Sequence, residues 1–123
     1  MDIDLPNVLA EIDAVFTRYE QALVTNDIDT LNDLFWNDAR TLRFGVSENL
    51  YGYDAITAFR TSRVTHNLQR AILKKHLTTF GTDFATAHIE FQRADGEIGR
   101  QTQIWIRFPQ GWKIVGAHVS KMA

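Results

Sequence analysis

The fold turns on the run FATAHIEFQRADGEIGRQTQIWIRFPQGWKIVGAHVSK, residues 84–121. "ADGE" at 94–97 and "PQG" at 109–111 carry turn chemistry and divide it into extended segments at about 84–93, 98–108 and 112–121. A fourth segment, about 69–80, precedes them across "GTD" at 81–83. Side chains alternate across a strand, so each segment has two phases. One phase holds Ala85, Ala87, Ile89 and Phe91, then Thr102, Ile104, Ile106 and Phe108, then Val115, Ala117 and Val119. It is small and apolar and suits packing under helices. The other phase holds His88 and Glu90, then Gln101, Gln103, Trp105 and Arg107, then Trp112, Ile114, His118 and Ser120. A face left wholly to water has no use for two tryptophans, so this phase is expected to form a subunit interface. The expected assembly is a homodimer joined sheet to sheet.

Helices come first in the chain. Val8, Ile12, Val15, Phe16, Tyr19, Ala22 and Leu23 recur at helical spacing, with Pro6 and Asn7 suited to the N-terminal end. Residues 7–25 therefore read as one amphipathic helix. "TND" at 25–27 ends it, and Ile28, Leu31, Leu34 and Phe35 mark a short second helix. Residues 40–45 read as a strand, and "GYD" at 52–54 opens a third helix in which Ile56, Phe59, Arg60 and Arg63 share a stripe. Helices followed by a meander of long strands predict an α+β fold, with N-terminal helices on the concave side of one curved antiparallel sheet.

The totals exclude several function classes. A chain of 123 residues fits one domain, expected over 1–123. A net charge of −2 gives no polyanion-binding surface, so nucleic acid is not an expected partner. There is no membrane-length apolar run and no secretory pattern, and a cytoplasmic location is expected. With no cysteine, disulfides, thiol nucleophiles and thiolate metal sites are all excluded. The four histidines, His66, His76, His88 and His118, lack the spacing of zinc or non-haem iron ligand sets. An interface role is favoured for His88 and His118. No cofactor is expected. The acidic residues of the first two helices, among them Glu11 and Glu20, read as solvated surface.

The order helix, short helix, strand, helix, long meander resembles the cone-shaped fold of the nuclear transport factor two, ketosteroid isomerase and SnoaL group. "RYEQALVTNDIDTLNDLFWNDA" followed by a strand and "GYDAI" is similar to that group's opening. "RTLRFGVSENLYGYDAITAFRTSR", "TTFGTDFATAHIEFQR" and "GRQTQIWIRFPQGWKIVGAHVS" resemble the AtzH/HpxZ family more closely, over nearly the whole chain. That family's context is bacterial breakdown of cyanuric acid and oxalurate. The resemblance implies a decarboxylating amidohydrolase that converts 1,3-dicarboxyurea to allophanate, with Tyr19 and Arg43 in the catalytic positions.

Arg43, in the middle of "TLRFG", is the residue that most needs explaining. In ketosteroid isomerases the places matching Tyr19 and Arg43 hold a tyrosine and an aspartate. A guanidinium cannot act as a general base, but it clamps carboxylates bidentately. The expected pocket therefore takes a small anionic ureido substrate. Arg63, with Arg60, is a candidate second cation for a dianion, and Ser62 and Asn49 are further substrate-binding candidates. Each has a bland alternative. Tyr19 can be a core tyrosine whose hydroxyl is tethered to the backbone. Arg43 can pair with Glu48 or Asp38. Arg60 is expected to run into solvent, and Ser62 and Asn49 can be a helix-end and a turn residue. Two rival functions stand beside the enzyme: an accessory anion-binding protein serving a partner amidase, and an isomerase or dehydratase, which Arg43 in the acid position disfavours.

Overall fold

The computed structural model describes residues 1–63 and 68–123, so His66 lies outside the described residues. Helix α1, Pro6–Val24, starts with Pro6 in its first turn and ends where Thr25 Oγ1 donates to the Gln21 carbonyl at 2.7 Å. It buries Val8, Ile12, Phe16, Tyr19, Ala22 and Leu23, a single stripe at three- and four-residue steps. Asp27 caps the N-terminus of α2, Ile28–Leu34, by accepting from the Thr30 backbone N–H and, at 2.7 Å, from Thr30 Oγ1. Strands β1 (Leu42–Phe44) and β2 (Asn49–Tyr51) follow, then α3, Tyr53–Ser62. Gly52 precedes α3 with φ of 91°, a left-handed backbone that favours glycine. The long strands are β3 (Arg70–Phe80), β4 (Phe84–Arg93), β5 (Ile98–Phe108) and β6 (Gly111–Lys121). Among the described residues no helix is long and apolar enough to cross a membrane.

The six strands form one curved sheet in the order β2-β1-β6-β5-β4-β3, with the helices packed against it. The architecture is the α+β arrangement expected from the element order, with the layout of the cone-shaped fold that the resemblance implied. Two details differ. The sheet is mixed, because β1 runs parallel to β6 while every other pair is antiparallel. And β2, a three-residue strand with Asn49 and Tyr51 exposed, carries too little alternation to be read from sequence.

Register aligns one row across all six strands: Leu77, Ala87, Gln103, Ala117, Arg43 and Leu50. These residues share the helix-facing side. On β4 the expected phase is buried, with Ala85, Ala87, Ile89 and Phe91 all at 4% exposure or less. On β5 the expectation is reversed. Gln101, Gln103 and Trp105 face the helices, and Ile104 faces outward at 37% exposure. The cause is steric. Trp105 lies opposite Ala85 and Gln103 opposite Ala87, so the small residues of β4 make room for the large ones of β5. On β6 no single phase applies. A bulge separates the pairs Ile104–Gly116 and Trp105–Ile114, so Val115 is the extra residue. Trp112 and Ile114 face inward before it, and Val119 after it.

Both tryptophans thus belong to the core and cannot contribute to a subunit interface. Trp105 Nε1 donates to Gln103 Oε1 at 3.1 Å, and Trp112 Nε1 to Glu11 Oε1 at 3.0 Å. Glu11, expected to be plain surface, has a structural partner. The outer face keeps a shallow apolar concavity of about 240 Å³ lined by Leu42, Phe44, Thr102, Ile104, Gly116, Ala117 and His118.

One close approach gives a direct test of the β4–β5 register. Gly99 lies opposite Phe91, and a Cβ at 99 would overlap the Phe91 ring. Gly99→Ala is expected to cost about 1–3 kcal/mol by overpacking, read from the urea midpoint at unchanged slope.

Candidate functional site

Arg43 leaves β1 on the helix-facing side, while its neighbour Phe44 turns to the outer face and meets His118 edge-on at 5.7 Å. The Arg43 guanidinium lies 5.5 Å from the centre of the Phe59 ring, and Nη1 donates to Glu48 Oε1 at 3.0 Å. Ser47 Oγ donates to the other Glu48 oxygen at 3.0 Å. Gly45 lets Glu48 fold back over the strand, since a side chain at 45 would collide with the Glu48 carboxylate. The protein carboxylate facing Arg43 is therefore Glu48, not Asp38, which pairs with Arg40.

Arg60 does not run into solvent. It is 2% exposed, because its four-residue step from Ile56 puts it on the buried stripe of α3. Its guanidinium lies 4.6 Å from the centre of the Phe35 ring. Nε and Nη2 are buried with no hydrogen-bond partner, and no carboxylate pairs with Arg60 among the described residues. Arg63, the residue that caps α3 at its C-terminal end, is partly buried. Its Nη2 reaches Asn26 Oδ1 at 3.4 Å, and its Nε is buried without a partner among the described residues. Burial pushes the Arg60 guanidinium down to about 10, helped by the neighbouring Arg43 and Arg63 cations and opposed by the Tyr19 and Tyr53 phenols. Burial also lowers Arg63, with Arg43 adding to the effect and Tyr19 and Glu48 opposing it. A guanidinium is a permanent cation near neutral pH, so this interior gathers three positive groups. Among the described residues Glu48 is the one carboxylate acting on these arginines from within the cluster, so the described groups leave an excess of two positive charges.

Tyr19 sits in the same interior at 3% exposure, its ring tilted against Phe35 at 6.4 Å between centres. Its hydroxyl makes no hydrogen bond among the described residues. Tyr53 shows the contrast: its hydroxyl donates to the Asn32 carbonyl at 2.9 Å, and burial raises its pKa. The structure thus brings Tyr19, Arg43, Arg60 and Arg63 together. It does not bring the other two candidates to them. Asn49 lies opposite Phe44, on the outer-face phase, and is exposed. Ser62 is exposed and donates back to the Phe59 carbonyl at 3.2 Å.

Sequence reasoning passed over a set of polar residues on the inner face. Arg70, whose side chain is 3% exposed, pairs with Glu20 of α1 and donates to Gln101 Oε1 at 3.0 Å. Glu20 is therefore a partner of a buried cation, not solvated surface. Gln103, fully buried, lies in the same row as Arg43. The text "QTQIW" held the signal, since it places two amides and an indole in one phase. Chemically, the interior is rich in donors and poor in bases. Its arrangement suits holding an anion in a low-dielectric space and delivering a proton to it.

The comparisons bear on the family and the fold. The AtzH-like family profile matches residues 1–123. A solved structure from Pectobacterium atrosepticum, a protein of unknown function from the DUF3225 family, is 48% identical with a TM-score of 0.97, covering 99% of this chain and 96% of that one. A cystatin-like fold protein from Burkholderia xenovorans is 44% identical with a TM-score of 0.96, covering 100% and 98%. An NTF2-like protein of unknown function from Pseudomonas putida, 20% identical with a TM-score of 0.81 over 94% and 87%, shares the fold alone. No curated protein matches the chain. With its whole length matched and two relatives above 40% identity, the chain belongs to the AtzH-like family.

Proposed function

We propose that this protein is a cofactor-free enzyme that removes a carboxylate from 1,3-dicarboxyurea, or a close ureido dianion, to give allophanate and carbon dioxide. The observation that carries the reading is the buried cationic interior, with Arg60 unpaired among the described residues and an excess of two positive charges. A buried cation without a counter-ion is costly, and a bound dianion removes that cost. The N–carboxylate bond breaks as its nitrogen accepts one proton. Carbon dioxide leaves and the allophanate monoanion remains. Tyr19, with a hydroxyl tied to no other group, supplies the proton directly or through water and regains one from solvent. Arg60 and Arg63 hold one carboxylate, and Arg43 orients the other. The resemblance to a family linked to cyanuric acid breakdown points the same way. The accessory anion-binding function shares the pocket and differs only in turnover.

Two experiments test the site. Tyr19→Phe is expected to lower turnover of freshly generated 1,3-dicarboxyurea by about 10²–10⁴ while leaving anion binding within about threefold. Full turnover in that variant rejects the proton-donor role. A wild-type rate no faster than the spontaneous one rejects the enzyme and leaves the accessory protein. Arg60→Met is expected to stabilise the ligand-free protein by about 1–2 kcal/mol while abolishing stabilisation by dicarboxylates, both read by calorimetry. Because folding lowers the Arg60 pKa to about 10, the folded state holds that proton less tightly than the unfolded chain. The stability gain of the variant is therefore full below about pH 10 and shrinks above it.

The proposed homodimer uses the outer sheet face, where Leu42 and Ile104 are each 37% exposed. Ile104→Asp is expected to shift sedimentation from dimer to monomer with activity at the distant interior retained. A wild-type monomer at micromolar concentration contradicts the dimer.

A further inference from the structure

The mechanism above uses cations and one phenol, and it leaves the buried Gln103 amide unassigned. Gln103 is 0% exposed. Its Oε1 accepts from Trp105 Nε1 at 3.1 Å. An indole N–H is a donor only, so this contact fixes which end of the amide is oxygen. The NH₂ group must point the other way. That Nε2 is buried and has no acceptor among the described residues. Leaving a buried donor unmatched is unfavourable, and such groups are few in native structures.

The row neighbours of Gln103 are small. In its row the flanking residues are Ala87 and Ala117, each ending in a methyl, and the next residue beyond Ala117 is Arg43. Two inter-strand steps separate Gln103 from Arg43, roughly 10 Å between Cα atoms. Gln103 and Arg43 thus flank one alanine in that row. Gln101, the next inward residue on β5, also has an unpartnered Nε2, but its end of the sheet carries the neutralised Arg70–Glu20 pair. Gln103 is the amide in line with Arg43. A neutral amide donor adds little beside three guanidiniums for holding a carboxylate. It matches a neutral carbonyl oxygen.

We infer that Gln103 is a substrate-binding residue whose NH₂ donates to a neutral carbonyl lying between the two carboxylates of the ligand, so that the site distinguishes keto- or ureido-dicarboxylates from simple dicarboxylates of equal length. This rests on the anion-site reading above and adds the recognition of the central oxygen.

The test uses two stable-enough dianions that differ only there: freshly dissolved 3-oxoglutarate, with a central carbonyl, and glutarate, with a methylene. Titration calorimetry of the wild type is expected to show 3-oxoglutarate bound about tenfold more tightly. In Gln103→Met the preference is expected to vanish, with glutarate affinity kept within about twofold. Gln103→Glu preserves an acceptor for Trp105 Nε1 and loses the donor. It serves where the Met variant fails to fold, and it too is expected to lose the preference. Equal binding of the two dianions by the wild type, or a preference that survives both substitutions, overturns the Gln103 role and leaves the anion site standing. Binding of neither dianion overturns the anion site, and the Gln103 role with it.

Discussion

The constraint on which the interior depends is the burial of the Arg60 guanidinium without a protein carboxylate among the described residues. Taking such a charge out of water costs several kcal/mol even after relaxation, roughly, and the fold offsets it only in part. The Phe35 ring face lies under the cation, and the phenols of Tyr19 and Tyr53 lie near enough to favour the charged form. None of these is an anion. The neighbouring cations Arg43 and Arg63 make matters worse. A protein selected for stability alone would place a methionine or leucine there, and on the proposed reading the cation is a place where binding outweighs stability.

The same fold shows how a buried charge is handled when it serves structure alone. Arg70 is as deeply buried as Arg60, yet it has Glu20 as counter-ion, Gln101 as a hydrogen-bond acceptor and the Phe91 ring at 4.3 Å. It ties α1 to the inner face of the sheet. Two buried arginines in one interior thus differ in their acceptors, a carboxylate and an amide for Arg70 and neither for Arg60 among the described residues, and on the proposed reading that difference separates a structural clamp from a binding group. Gln101 and Gln103 extend the contrast, since each has its oxygen satisfied by a donor and its NH₂ left over.

Much of this was legible in the sequence, and the failures have specific causes. The ends of α1, α2 and the four long strands fell within a residue or two of their expected places, because Asp27, "GTD", "ADGE" and "PQG" are local signals that tertiary contacts seldom override. The facing of β5 was not legible. Both of its phases hold large apolar side chains, and the choice was made by the alanines of β4, which only the register brings opposite. The bulge at Val115 defeats any single-phase reading of β6. In the candidate site, Tyr19 and Arg43 were named through the family resemblance, and both lie on the inner side of the fold. The depth of Arg60 was not legible, because an arginine near a helix end ordinarily reaches water, and here Phe35 and the sheet close over it.

On the proposed reading, the pairing of Arg43 with Glu48 sharpens what the interior would select. Glu48 takes one hydrogen bond, from Arg43 Nη1, and a second from Ser47. A guanidinium has five N–H donors, so Arg43 can hold Glu48 and still present donors to a ligand carboxylate. The ligand need not displace Glu48. What Glu48 does is set the charge that the ligand must match. Without it the interior would carry three uncompensated cations and would favour phosphate-like polyanions. With it the excess is two, a dianion balances the site, and a third negative charge meets Glu48 across a low-dielectric space where like charges repel strongly. On the proposed reading, selectivity for a compact dianion therefore resides as much in the one acidic side chain of the cluster among the described residues as in its three arginines.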